Sequence, residues 1–476
     1  MWARIRKDPT MEKFDVIVIG SGSGMVVVSR ALEEGLNVAL VEKGPLGGTC
    51  LNNGCIPSKV LIYPADVISV LKDAKNVGVD GTVNKADFNF ILKRAWDIIH
   101  KERESMEEGI KSQKDLTWYK ETGEFVEDYK LEVGDENIMA PKIVIASGAR
   151  PNVPPVEGLK ESGFIDNVSL LDLKGLPGSV AIIGAGYIGC EFGHFFSALG
   201  SEVTLIGRHP TVLKDEDPEI GAVVTKILSR DLRFLANHSA TKVEKQGDKR
   251  IVYAKDRKTG KDVRVEADEV LVATGRKSNS DILKPENTGV ETDKRGWVKV
   301  NKYMETSKPG IYALGDATDR YMFKHTANYE AEIVADNMLR GNKRENDTHA
   351  VPHAVFTHPQ VGGVGMTEAQ AIKAGIKVLV GRARYADTAK GYAMADEDGL
   401  VKVVVEEDTD RILGCQIAGP DASILIQEVV FLMNTVSQDL STLWRSQIVH
   451  PATSEVIANA FASLERPKLE VGAQAH

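Results

Sequence analysis

Long hydrophobic runs are missing from this sequence of 476 residues. The apolar stretches near Val16 and Val38 are strand-sized, well short of the ~20 continuous residues that a membrane span requires, so no membrane partner is expected. The opening segment, Met1 to Pro9, carries Arg4, Arg6 and Lys7 but no apolar core. It does not read as a secretory signal, Met11 is a candidate start, and the expected location is cytoplasmic. Excess positive charge is also absent. With 59 Lys and Arg against 68 Asp and Glu, the net charge of -9 offers no footprint for nucleic acid. Cysteine is scarce: four in the whole chain, two of them close together, which excludes a disulfide scaffold and points to redox or metal chemistry. A metal centre would need two further ligands at suitable spacing, and these are missing, so no metal is expected.

What is present is apolar residue and glycine in the proportions of an α/β protein, 42% and 43 residues, in a chain long enough for three or four packed units. Residues 14–44 nearly repeat as residues 178–208. Each copy has an apolar β-type run, a glycine turn, a helical stretch and a second apolar run, which is a βαβ unit. The expected fold class is therefore α/β, with two Rossmann-like dinucleotide-binding domains and a C-terminal α+β unit. Residues 141–151 read as a strand leaving the first domain, and the proline-rich stretch after it as a linker. "GIYALGDA" at 310–317 reads as a strand that completes the first nucleotide site. From Val351 the pattern changes to β-type runs followed by amphipathic helices at 422–433 and 453–464. The expected boundaries are 11–155, 156–279, 280–350 and 351–476.

A glycine turn between strand and helix lets a pyrophosphate approach backbone amides and the positive helix end. Gly20 and Gly22 supply the first two positions of the first turn, whereas Met25 stands at the third with Gly24 one residue early, so close helix–strand packing must arise another way. Glu42 is the expected acceptor for the ribose hydroxyls. The second turn is complete, with Gly184, Gly186 and Gly189. Its second strand ends at Gly207, where a carboxylate would select an unphosphorylated ribose, and Arg208 and Lys214 follow. An arginine fork can grip a 2′-phosphate, so NADPH is favoured over NADH, the alternative being that both cations are solvated loop charges.

Cys50 and Cys55 lie in "GGTCLNNGCIPSK". Five residues apart on a regular helix, their Cα atoms would be about 8 to 9 Å apart. A disulfide needs about 4.4 to 6.8 Å, so the pair demands a distorted turn, which Gly54 permits and Pro57 marks. Lys59 or the helix N-terminus could stabilise a thiolate. Cys190 and Cys415 sit in apolar patterns and read as inert core thiols.

These segments, with "IVIASGARP", "GAGYIGCEFG", "VLVATGRKSN", "GIYALGDA" and "HPATSE" in this order, resemble the pyridine nucleotide-disulfide oxidoreductases. That family includes dihydrolipoamide dehydrogenases, glutathione and mycothione reductases, and mercuric reductases. The resemblance runs from Phe14 to about Leu464, and its cysteine segment is the most specific part. It implies an FAD domain, an NAD(P) domain, a central domain and a dimerisation domain, in a homodimer whose active site draws on both copies. It further implies that Cys55 lies against the flavin, that Cys50 is the interchange thiol, and that Lys59 pairs with Glu191. Gly20, Gly22, Glu42, Gly48, Thr49, Ser147, Gly148 and Asp316 would line FAD. Gly184, Gly186, Tyr187, Gly189, Arg208, Lys214 and Gly275 would line the nicotinamide cofactor. His450 would act as acid/base oriented by Glu455, after a His450-Pro451 peptide expected to be cis.

Within the family, the absence of a C-terminal cysteine pair and of an N-terminal metal-binding domain sets mercury aside. Gly207 and Ile448 depart from the dihydrolipoamide dehydrogenase pattern, which has an acid and a second histidine there. Tyr187 and Arg208 resemble the NADPH-dependent reductases, and residues 422–430 the mycothione branch. The first expectation is an enzyme like dihydrolipoamide dehydrogenase, acting on a lipoyl-type disulfide. The alternative is an NADPH-dependent reductase of a small disulfide. A non-catalytic flavin-binding subunit is disfavoured by the intact cysteines and the His450–Glu455 dyad.

Overall fold

The computed structural model describes residues 11–467, so the basic opening segment lies outside the described residues. The chain forms two compact units. One gathers Met1–Val60, Phe90–Asn152 and Gly275–Asp347, and the other Leu61–Asn89, Val153–Thr274 and Thr348–His476.

The first unit is built on a parallel five-stranded sheet in the order Ile311–Ala313, Lys142–Ile145, Val16–Ile19, Val38–Val41, Leu116–Tyr119. Alternation divides its side chains between two faces. Val16, Val18, Val38, Leu40 and Val144 pack with Val27, Val28, Ala331 and Val334 from the helices Gly24–Glu33 and Lys324–Arg340. Ile17, Ile19, Ala39, Val41, Ile143 and Ile145 meet Phe125, Leu131, Val133 and Ile138 of a second, four-stranded sheet. Covering both faces explains why these strands read as unbroken apolar runs. The strand expected within 310–317 is Ile311–Ala313, and it extends the same sheet as the first glycine turn.

The second unit repeats the plan with a parallel sheet in the order Arg233–Leu235, Glu202–Ile206, Ser179–Ile183, Glu269–Val272. A three-stranded antiparallel sheet, His238–Gln246, Lys249–Asp256 and Asp262–Ala267, is inserted before its last strand. C-terminal to these lies an antiparallel five-stranded sheet in the order Pro352–Val355, Gln360–Gly365, Ile412–Gly419, Leu400–Glu406, Val378–Arg384. The helix Ala422–Met433 has the expected bounds. The last helix is shorter than expected, Glu455–Ala462, because the Glu455 carboxylate turns back to accept from the Ala452 N–H and His450. Lys402, buried in its strand, is met by Asp217, Glu219 and Glu368 at 2.8, 2.7 and 2.7 Å, the pairing that a buried ammonium requires.

Among the described residues, one helical run, 48–77, is long and apolar enough to cross a membrane by length and composition. Counting continuous apolar residues overlooks it, because Asn52, Asn53, Lys59 and Asp66 interrupt it. It is also broken in two, into the helices Gly48–Asn53 and Cys55–Asp73.

Candidate functional site

The first glycine turn closes on its own unit. Gly20 has φ 106°, and a Cβ there would stand 2.2 Å from the Ala146 carbonyl oxygen, so only glycine fits. A Cβ on Gly22 would find nothing nearer than the Gly48 Cα at 3.9 Å, leaving open space above the turn. Gly24 solves the packing problem that Met25 poses. Its Cα faces the sheet so closely that a Cβ would meet Val18 at 2.8 Å, and Met25 is left half-buried at the side. Glu42 accepts from the Ser21 N–H at 3.0 Å, the Ser21 hydroxyl at 2.9 Å and the Gly44 N–H at 2.8 Å. Its carboxylate is thus fixed at the strand end, in a cleft with about 430 Å³ of empty space that Gly20, Lys43, Thr122, Ser147 and Asn279 also line. Gly148 has φ 61°, and Asp316 sits in the turn Gly315–Thr318 with Arg276 at 3.8 Å. Burial raises the Asp316 pKa and Arg276 opposes that shift.

Gly48 and Thr49 open the helix that carries Cys50, and a Cβ on Gly48 would stand 2.8 Å from the Gly22 Cα. The glycine turn and the cysteine segment therefore pack backbone to backbone. The distortion expected between the cysteines is present: one helix stops at Asn53 and the next starts at Cys55. Gly54 carries it, since a Cβ there would meet the Thr49 carbonyl oxygen at 2.7 Å. Pro57 falls in the first turn of the new helix, where no intrahelical N–H is needed. Both cysteines are free thiols that share a hydrogen bond, Cys50 half-buried and Cys55 exposed. Cys50 is lowered to about 7, first by the Cys55 thiol, against burial, and then by Lys324 and the N–H groups of Cys55 and Ile56. The same pairing and burial raise Cys55, and it is Cys55, not Cys50, on which the Lys59 charge acts. Of the two sources expected from the sequence, the helix N-terminus serves Cys50. Lys324 is a third, invisible in the sequence because nothing local links it to Cys50.

In the second unit, Gly184 has φ 114°, and a Cβ there would stand 2.3 Å from the Ala273 carbonyl, as Gly20 does to Ala146. Ala273 thus repeats Ala146, and Gly275, where the chain re-enters the first unit's residues, has φ 96° as Gly148 has 61°. A Cβ on Gly186 would enter open space, whereas one on Gly189 would stand 1.9 Å from the Gly184 carbonyl. Tyr187 starts the helix Tyr187–Leu199, and its hydroxyl donates to the buried Glu216 at 2.8 Å. The same carboxylate meets His353 at 2.9 Å. Gly207 is buried at the strand end, and a Cβ there would collide with the Phe234 ring at 2.7 Å. Arg208 is exposed, and Lys214 pairs with its neighbour Asp215 at 2.5 Å. Glu191 is buried and accepts from the Phe356 N–H at 3.0 Å.

His450 is exposed, and its Nδ1 lies 2.7 Å from the Glu455 carboxylate. That contact lowers the Glu455 pKa, helped by the Ala452 N–H. The His450-Pro451 peptide is cis. Cys190 and Cys415 are fully buried, and burial drives both thiols up, as inert core positions require. No cluster of three or more metal-ligating residues occurs among the described residues.

Two βαβ sites, a close cysteine pair and a His–Glu dyad are thus on one chain. Residues 14–331 match the model of the pyridine nucleotide-disulphide oxidoreductases, and residues 351–461 that of their dimerisation domain. The chain belongs to this family. A pyridine nucleotide-disulphide oxidoreductase of this kind is an FAD-dependent enzyme that uses NAD(P)H and acts on a sulfur group. Mycothione reductase of Mycobacterium tuberculosis is 34% identical over 95% of this chain and 100% of its own length. Dihydrolipoyl dehydrogenase of Chlamydia muridarum is 32% identical over 96% and 98%, and mercuric reductase of Staphylococcus aureus 34% over 87% and 76%. Among solved structures, the copper(II) complex of the HOCl-induced flavoprotein disulfide reductase RclA from Escherichia coli superimposes with a TM-score of 0.84 at 29% identity, covering 95% of this chain and 99% of that one.

The residues fit the two cofactors. Space is kept clear above Gly22 and Gly186, each at the start of a helix whose N–H groups can receive a pyrophosphate. The sequence reading missed Lys324, Asn52, Glu216 and His353.

Proposed function

We propose that Cys50 and Cys55 are the redox pair of an NAD(P)H:disulfide oxidoreductase resembling dihydrolipoamide dehydrogenase, with a lipoyl-type dithiol/disulfide as substrate. The single observation that carries this reading is the interrupted helix, which puts the two thiols in contact, and that contact lowers Cys50 toward about 7. When bound, the flavin relays two electrons from the reduced nicotinamide to the cysteine disulfide. In the reducing direction, the Cys50 thiolate attacks one substrate sulfur and the substrate S–S bond breaks. The departing thiolate takes a proton from His450 of a second copy, with Glu455 stabilising the imidazolium form. Cys55 then attacks Cys50 and passes its thiol proton to the now neutral His450 imidazole, the mixed disulfide breaks, the second substrate sulfur leaves and takes that proton, and the Cys50–Cys55 disulfide forms. Two electrons have passed from the pair to the substrate.

Lys59, whose charge acts on Cys55, supports the flavin site, and Asp316 binds the ribityl-pyrophosphate part. The domain scheme is 11–155, 156–279, 280–350 and 351–476. Homodimer formation is supported by the match to the dimerisation domain and by Ile424 and Phe431, 68% exposed and two turns apart on one helix. The proposed location is cytoplasmic.

A second reading, an NADPH-dependent reductase of a small disulfide of the mycothione or glutathione type, is favoured by Gly207. With the Phe234 ring against it, this strand end has no place for the acid that selects NADH, while Arg208 stands beside it. Steady-state turnover with lipoamide, mycothione and glutathione disulfide against NADH and NADPH tests both. Lipoamide turnover supports the first reading, and exclusive turnover of a small disulfide with NADPH replaces it by the second.

A further inference from the structure

Something must hold the break between the two cysteine-bearing helices, and Gly54 has no side chain with which to do it. Asn52 does. It is buried between the cysteines, and its amide nitrogen donates to the carbonyls of Pro45, Leu46 and Gly48 at 3.1, 2.9 and 2.8 Å. Two N–H bonds thus serve three acceptors along the turn that leads into Cys50. The amide oxygen accepts from Nε of Arg103, which fixes the orientation of the whole group. Turned over, it would face a donor with donors and three acceptors with an acceptor.

Arg103 comes from the helix Phe88–Lys111, where Trp96, His100 and Arg103 share one face. Its guanidinium lies 5.9 Å from the centre of the Trp96 ring, which stacks on His100 at 5.3 Å. A half-buried arginine is thus pinned by an aromatic pair and aimed at one amide oxygen. The lowering of Cys50 has its sources in Cys55, Lys324 and two N–H groups, and Arg103 is not among them. The link from Arg103 to the cysteine segment is its hydrogen bond to Asn52.

We propose that Arg103 is a positioning residue for the redox pair: through Asn52 it fixes the turn before Cys50 and thereby sets how readily Cys50 and Cys55 join. This rests on the reading of those cysteines as the redox pair. The test equilibrates flavin-loaded enzyme with dithiothreitol buffers of graded redox poise, traps free thiols by alkylation, and measures the Cys50–Cys55 disulfide by peptide mass. Arg103→Ala is expected to shift the equilibrium by about tenfold, the scale of a lost hydrogen bond to a charged donor. Arg103→Lys, which keeps a donor, is expected to shift it less and serves also if the alanine variant does not fold. Asn52→Ala combined with Arg103→Ala should shift it no further than Asn52→Ala alone, since the two act in series. An unchanged equilibrium in folded Arg103→Ala, or in Arg103→Lys where only that variant folds, even with a lowered melting temperature, would overturn the proposal and leave Arg103 a fold anchor. Additive shifts would overturn it as well. A wild-type enzyme that never forms the disulfide would instead overturn the underlying reading.

Discussion

In the first nucleotide unit the turn and the acid that follows it form a closed circuit: Glu42 at the strand end binds Ser21 and Gly44, and the cysteine segment packs on Gly22 through Gly48. In the second the circuit is open, with Gly207 in the place of the acid and the Phe234 ring against it. Both turns keep the same first glycine, at φ 106° and 114°, against the same kind of carbonyl, Ala146 or Ala273. They differ at the end of the second strand, Glu42 in one and Gly207 in the other. One plan thus serves both cofactors, with a further difference in the third glycine, Gly24 in one turn and Gly189 in the other.

The largest effect is expected at the turn glycines. Gly189→Ala forces a methyl to 1.9 Å from the Gly184 carbonyl. It should raise KM for the nicotinamide by ~10²-fold, as misplacement of about 1 Å can, with flavin absorbance per protein unchanged. Gly20→Ala should do the reverse, giving colourless protein. Next comes the strand end. Gly207→Glu alone should weaken NADPH without a gain for NADH, because the Phe234 ring occupies the space, and adding Phe234→Ala should release a preference for NADH of about tenfold, comparable with one well-placed hydrogen bond to a charged group. Competitive kinetics with both nucleotides would check it, and a full switch by Gly207→Glu alone would show that Phe234 is no obstacle. Glu42→Gln keeps the shape but weakens its three accepted bonds, so flavin should dissociate about tenfold more readily in dialysis. The smallest effect is Lys324→Ala. A lowered thiol is more ionised at neutral pH, so iodoacetamide alkylation of reduced enzyme should rise through about pH 7. Without Lys324 that midpoint should move up, toward the ordinary thiol value of about 8.5.

Most of this comparison was legible in the sequence, because a βαβ unit is local: the strand runs, the turns, Glu42 and the Gly207–Arg208 end all lie within some thirty residues of their glycines, the usual size of the unit. The need for a broken helix between Cys50 and Cys55 followed from helix rise alone. That Gly24, one residue early, itself supplies the close packing was hidden, since spacing cannot show which Cα touches Val18. The supports of the cysteine pair were hidden for a different reason. Arg103 reaches Asn52 across 51 residues of sequence, and Lys324 acts on Cys50 from another segment of the unit. Such partners are chosen by the packing of the helices that carry them, and no periodicity encodes that.

Reversible joining of Cys50 and Cys55 is addressed most directly by peptide mapping of the purified flavin-loaded enzyme before and after anaerobic NADPH. The expected result is a Cys50–Cys55 cross-linked peptide in the oxidised enzyme that disappears on reduction, with both sulfurs then open to alkylation. Both cysteines alkylating equally before and after NADPH, with no cross-linked peptide, would contradict it.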